Sequence, residues 1–238
     1  MQVGYSSPQA ESFRSASSTG YIGNAEHQLR ATVEDDTLRL ASCFIRHVLY
    51  FESPQDSSNM SNVVEFRDTK LRSFATPQLL EQAINATDDG GLCLRSKNDT
   101  NDFELKDNRV AILEAKRKFQ WLEDGKPTIS DECLGQMTCE ALQSRLINPT
   151  SPESVIVIHA TQHYLCFLQF DISNQYIREF DTDSLSLSIP VVITPWYDFS
   201  NESNKKQVVL NLCALMRWGG GAGGERQCDV SLALISCI

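Results

Sequence analysis

The feature that most constrains the fold is an apolar run, Val110, Ala111, Ile112 and Leu113, that stops abruptly at Glu114, Ala115 and Lys116. Apolar residues without alternation read as a strand buried on both faces, which requires a layer above it and a layer below. Ending such a strand in a carboxylate and an ammonium is costly unless both charges are used, most often in metal binding or catalysis. Period-two alternation puts Val110, Ile112, Glu114 and Lys116 on one face and Ala111, Leu113 and Ala115 on the other. The two charges therefore point the same way.

Upstream, Asp102, Phe103, Glu104, Leu105 and Lys106 read as a shorter strand before the polar residues Asp107, Asn108 and Arg109. A three-residue turn there pairs Lys106 with Val110 and hence Asp102 with Glu114. A two-residue turn sends Asp102 to the opposite face, because a one-residue slip inverts every side chain. Asp107 and Asn108 tolerate left-handed backbone, which suits the three-residue turn. In that register Asp102, Glu114 and Lys116 converge, with Glu104 one step inward. Two carboxylates and a lysine make a hard oxygen site for Mg²⁺ or Mn²⁺, with Asp102 and Glu114 as the ligands. The cation would polarise a phosphoryl oxygen, and Lys116 would orient the attacking water or offset charge developing on the phosphate.

This segment resembles the PD-(D/E)XK nuclease superfamily, in which an Asp is followed by Glu-x-Lys at the end of an apolar strand. Asn101-Asp102 stands where the family has Pro-Asp. Gln136 lies in the helix after the hairpin, where the RecB-like branch of the family often carries a glutamine that helps form the site. The resemblance implies a restriction-endonuclease-like α/β fold, a mixed central sheet flanked by helices, and metal-dependent cleavage of phosphodiester bonds in nucleic acid. Its catalytic set here would be Asp102, Glu114, Lys116 and Gln136. It also implies a further acidic residue from an upstream helix, for which Glu34, Glu65 and Glu81 are candidates. Many members of the family have lost catalysis, so a nuclease-fold protein acting as an interaction module with a protein partner is the alternative.

Charge bears on that choice. The 238 residues carry a net charge of −10, which repels polyanions, whereas proteins that grip long nucleic acid usually show a basic footprint. A local basic lip could come from Lys116, Arg117 and Lys118 with Arg95, Lys97 and Arg109. A solvated strand exit explains the same residues equally well. The eight cysteines include no Cys-x-x-Cys pair, and residues 1–20 contain no apolar signal core. The expectation is an intracellular chain, cytoplasmic or nuclear, with reduced thiols and no membrane partner. His159 and His163 flank a strand connection without further ligands at fitting spacing and read as packing or turn residues.

Along the chain, residues 1–30 read as a disordered arm, 31–218 as one nuclease-like domain and 219–238 as a flexible Gly-rich tail. Within the domain, helical spacing is seen over residues 32–51. Residues 63–66 and 71–74 suggest a strand hairpin, and Thr76 and Pro77 suit a helix start running to residue 83. Residues 88–91 read as a turn and 92–95 as a strand. The clearest helix runs from Ser130 to Leu146, with Leu134, Met137, Ala141, Leu142 and Leu146 as its apolar stripe. Strands follow at 155–159 and 164–170, a further strand is expected at 176–180, and a helix closes the domain at 205–218.

Overall fold

The computed structural model describes residues 34–55, 60–75, 84–117, 121–123, 126–180, 182 and 186–220. The arm at 1–30, the helix expected from Thr76 to residue 83 and the tail beyond Gly220 lie outside these residues. Among them, a mixed central sheet is flanked by helices. Helix α1 (Glu34–Phe51) precedes β1 (Asn62–Arg67). The small pair β2 (Arg72–Ala75) and β3 (Ile84–Thr87) follows, then β4 (Gly90–Lys97) and the long β5 (Phe103–Lys116). A second small pair, β6 (Trp121–Glu123) and β7 (Lys126–Thr128), leads into α2 (Asp131–Ile147). The chain then runs through β8 (Ser154–Thr161), β9 (Tyr164–Asp171), α3 (Asn174–Glu179), β10 (Val191–Ile193), β11 (Tyr197–Asp198) and α4 (Glu202–Gly220).

The main sheet runs β1-β4-β5-β8-β9-β10, with β11 also paired to β9. All of its pairs are antiparallel except β5 with β8, which are parallel and joined across one face of the sheet by α2. A parallel pair needs such a crossover, because a tight turn can only reverse the chain. The apolar runs of β5, β8 and β9 are buried on both faces, as their lack of alternation requires. On β8, Ile156, Ile158 and Ala160 pack towards α1 and α4, while Val155 and Val157 pack towards α2. Ser130 caps α2, its side chain accepting the Cys133 N–H, and thereby fixes where the crossover helix begins.

The structure corrects the expected hairpin. Residues 103–116 form one strand, not two, and its antiparallel partner is β4. Asp107, Asn108 and Arg109 form a bulge instead of a turn: Ala111 and Asp107, four positions apart, face Leu92 and Leu94, two positions apart. Asp107 Oδ1 still accepts the Arg109 N–H at 2.9 Å, so the local turn chemistry is present, but the chain continues onward. The bulge also breaks the expected alternation, and Val110 packs with Ala111 in the α1–α4 layer, away from Ile112. The true reversal between β4 and β5 lies at residues 98–102, where the Asn98 N–H donates to the Asp102 carbonyl at 2.9 Å.

Three smaller expectations also change. Strands β1 and β2 do not form a hairpin, because β1 pairs with β4 and β2 with β3. Residues 176–180 end a short helix whose Ser173 side chain accepts the Tyr176 N–H, rather than forming a strand. Gly219 and Gly220 belong to α4, so the tail cannot start at 219. A Cβ on Gly219 would lie 2.7 Å from Val110 Cγ1, so this glycine lets the last turn of α4 sit directly on the sheet. No helix among the described residues is long and apolar enough to cross a membrane.

Gly91 sets how closely β4 approaches β5. A Cβ there would stand 2.2 Å from the Ala111 carbonyl oxygen, a backbone atom that cannot move aside without parting the ladder. Gly91→Ala should therefore lose about 3 kcal/mol of unfolding free energy, read as a lowered urea midpoint. A loss below about 0.5 kcal/mol would show that the two strands separate easily.

Candidate active site

Pairing of the start of β4 with the end of β5 builds the site. Gly90 lies opposite Leu113, so Asp89, one residue earlier, comes to stand beside Glu114. The Asp89 N–H donates to the Leu113 carbonyl at 3.0 Å, and Asp89 Oδ2 accepts the Ala115 N–H at 3.0 Å. The carboxylate thus continues the ladder where the strand itself has ended. Glu114 lies on the α2 side of the sheet and is 1% exposed. Its Oε1 is 2.6 Å from Lys116 Nζ and accepts Gln136 Nε2 at 2.7 Å. Lys116 Nζ also donates to Gln136 Oε1 at 2.8 Å, closing a three-membered ring of polar contacts.

One helical turn beyond Gln136 is Glu140, whose Oε1 accepts Gln136 Nε2 at 3.0 Å. Residues four apart on a helix share a face, so α2 presents both to Glu114. Burial, followed by the Glu114 charge, pushes the Glu140 carboxyl up to about 9. Burial also raises Glu114, with Lys116 pulling the other way. At neutral pH Glu140 therefore keeps its proton, beside a Glu114 that Lys116 and Gln136 also hold.

Of the four expected residues, Glu114, Lys116 and Gln136 come together and Asp102 does not. Asp102 is exposed at the opposite end of β5, on the order of 35 Å from Glu114 along the strand. There it closes the reversal, its N–H donating to Asn98 Oδ1 and its Oδ2 accepting Thr100 Oγ1, both at 2.9 Å. It therefore does not join Glu114 and Lys116 as expected; the acidic residue beside Glu114 is Asp89. Of the upstream acidic candidates, Glu65 pairs with Arg95 at 2.7 Å, the side chain of Glu34 lies outside the described residues, and so does Glu81. Of the residues read as a basic lip, Lys118 lies outside the described residues and three others are engaged elsewhere. Arg95 is on Glu65, Lys97 is over the Phe103 ring, and Arg109 donates to Ser73 Oγ.

Sequence reasoning missed Asp89 and Glu140. Asp89 hides in Asp88-Asp89-Gly90-Gly91, which carries turn composition but opens a strand. Glu140 was visible as a carboxylate inside the apolar stripe of α2, between Met137 and Ala141, and such a residue in a buried stripe needs a partner.

His159 lies opposite Glu114 across the parallel ladder, and its Nδ1–H donates to the Glu114 carbonyl at 3.1 Å. Its Nε2 is 3.7 Å from Cys133 Sγ. Burial brings His159 down to about 4 and takes Cys133 up to about 11, so both are neutral at physiological pH. A thiolate nucleophile is not available there, and the pair packs behind the strand end.

Among the described residues, no group of three or more His, Cys, Asp or Glu side chains is arranged to hold a metal ion. What the site offers is two hard carboxylates, Asp89 and Glu114, beside the protonated carboxyl of Glu140. That set fits Mg²⁺ or Mn²⁺, because Mg²⁺ is commonly bound through one or two carboxylates while water and substrate phosphate complete its shell. It does not fit Zn²⁺, which prefers a closed set of nitrogen and sulfur ligands.

The raised Glu140 carboxyl ties folding to pH. The folded chain keeps a proton that the unfolded chain releases near the ordinary carboxyl value, so stability falls as pH rises from about 4.5 towards about 9. Glu140→Gln, which keeps a donor towards Glu114 without the titration, should match the parent at pH 5 and exceed it in urea midpoint at pH 8.5. Parallel pH profiles for the two proteins would show that Glu140 is ionised in the fold.

The chain matches no protein-family model, no curated protein and no solved structure, so the reading of this site stands on its own geometry.

Proposed function

We propose that the protein is a metal-dependent nuclease of restriction-endonuclease-like fold, with Asp89 and Glu114 as metal ligands and Lys116 and Gln136 completing the site. The observation that carries the reading is the convergence of Asp89, Glu114 and Lys116 at one end of neighbouring strands, with Glu114 buried and hydrogen-bonded to Gln136 from the crossover helix. Asp89 followed by Glu114-Ala115-Lys116 keeps the PD-(D/E)XK pattern with a longer spacing than the one expected from Asp102. The order of elements around the main sheet, a helix, the three antiparallel strands β1, β4 and β5, a helix and the parallel strand β8, agrees with it.

A bound Mg²⁺ or Mn²⁺ would polarise the scissile phosphoryl group and help generate the nucleophile from water. The chain's own groups do the rest. Asp89 and Glu114 supply negative charge at fixed positions, the one on a ladder amide and the other on Gln136. Lys116 points along the sheet face beside Glu114, where an ammonium can orient a water and offset charge on the phosphate as it develops. Gln136 bridges Lys116, Glu114 and Glu140 and so keeps the lysine from collapsing wholly onto the glutamate.

The net charge of −10 favours a second reading, in which the fold persists without cleavage and serves as an interaction module for a protein partner. The two separate in one assay. Duplex and single-stranded DNA and RNA are incubated with the protein in Mg²⁺ or Mn²⁺, alongside Asp89→Asn, Glu114→Gln, Lys116→Met and Asp102→Asn. Cleavage by the parent and by Asp102→Asn, with a loss of at least about 100-fold in the other three, is the expected result. Cleavage that survives in all of them would mean a contaminant or a different site, and its absence from the parent favours the interaction module.

A further inference from the structure

The connection between β1 and β2 carries Lys70, whose Nζ lies 2.7 Å from Asp89 Oδ1. The two side chains differ sharply in exposure, 51% for the lysine against 11% for the aspartate. The placement is built into the backbone. Neighbouring Asp88 binds the Arg67 guanidinium through both carboxylate oxygens, at 3.1 and 2.9 Å, and its Oδ1 also accepts the Leu71 N–H at 2.9 Å. The Leu71 carbonyl in turn accepts the Asp88 N–H at 3.2 Å. Residues 67–71 are thereby fixed to residue 88, and Lys70 is held over residue 89. Because Asp89 Oδ2 is taken by the Ala115 N–H, the ammonium sits on the oxygen that the backbone leaves for a cation.

We propose that Lys70 is an internal competitor for the divalent metal ion, seated on Asp89 Oδ1 and displaced towards solvent as the metal binds. This rests on the metal-dependent reading above. An ammonium and a doubly charged ion cannot share one carboxylate oxygen without strong repulsion at contact distance. A doubly charged ion that binds through Asp89 and Glu114 together outcompetes a singly charged ammonium on Asp89. Lys70 has somewhere to go, since half of its side chain already faces solvent on a flexible four-carbon stem. Lys116 does not, being 19% exposed and held by both Glu114 and Gln136. The two lysines at the site therefore have different parts: Lys116 stays and Lys70 exchanges. Without an exchanging cation, Asp89 would be a mostly buried charge lacking a counterion.

Calorimetric titration with MnCl₂ compares the parent with Lys70→Met and with Lys97→Met, a control cation over the Phe103 ring at the other end of β4. Lys70→Met should bind roughly fivefold more tightly than the parent, and Lys97→Met should match the parent. In the parent protein, reductive methylation followed by mass spectrometry should show Lys70 reacting faster when Mg²⁺ is added. Equal Mn²⁺ affinity in the parent and Lys70→Met, together with Lys70 reactivity indifferent to Mg²⁺, overturns the inference and leaves the metal site standing. Absence of Mn²⁺ binding in every protein, Lys70→Met included, overturns the metal-dependent reading and the inference with it.

Discussion

The register between β4 and β5 is the constraint on which everything at the site depends. It is set by one close approach, Gly91 against the Ala111 carbonyl, and continued past the end of the strand by Asp89. A slip of one residue would carry Asp89 away from Glu114 and turn the charged face of β5 into the α1–α4 layer. Side-chain packing reinforces the register from both sides, since Ala111 and Leu113 fill one core and Ile112 the other. The Arg67–Asp88 pair adds a third hold, tying the exit of β1 to the entry of β4. That pair is nearly buried, so breaking it by removing one partner leaves an uncompensated charge and not merely a lost contact.

Charge in the site is handled by sharing. Glu114 and Glu140 are packed together in a nearly buried cluster, and Lys116 and one proton on Glu140 settle their charge, while Lys70 faces Asp89. Gln136 is the hinge of this arrangement because an amide donates and accepts at once without titrating, which neither a lysine nor an ionised glutamate in its place could do. The neutral Cys133 and His159 behind it keep the local field from being altered by a further titration at physiological pH.

Much of the fold was legible in the sequence where burial and capping agree. The unbroken apolar runs of β8 and β9 could only be interior strands, and Ser130 with its following apolar stripe marked α2 closely. Glu114, Lys116 and Gln136 were legible for a related reason: polar groups at the end of a buried strand or on a helix facing it must be used. Asp102 misled because Asp107, Asn108 and Arg109 carry chemistry that serves a hairpin turn and a bulge equally well, and only the partner strand decides between them. Asp89 was hidden by the adjoining glycines, which local preference assigns to a turn but which here permit close strand approach. The segment at 176–180 reads as a strand through Tyr176, Ile177 and Phe180, yet the Ser173 cap draws its first residues into a short helix whose Tyr176 packs into the core.

The bulge at residues 107–111 has a consequence for how this sheet tolerates change. It takes up extra residues between the buried half of β5 and the exposed half that runs out to the reversal at 98–102. Beyond it, pairing is set by the local ladder of Phe103 to Lys97 and Leu105 to Arg95, with no memory of the alternation that places Glu114 and Lys116. The strand is thus two mechanical segments joined by a slack link. Residues can be added to or lost from its outer ribbon while the phase of the inner segment stays fixed, so length variation at that tip is free to reshape the molecule's edge without moving the site.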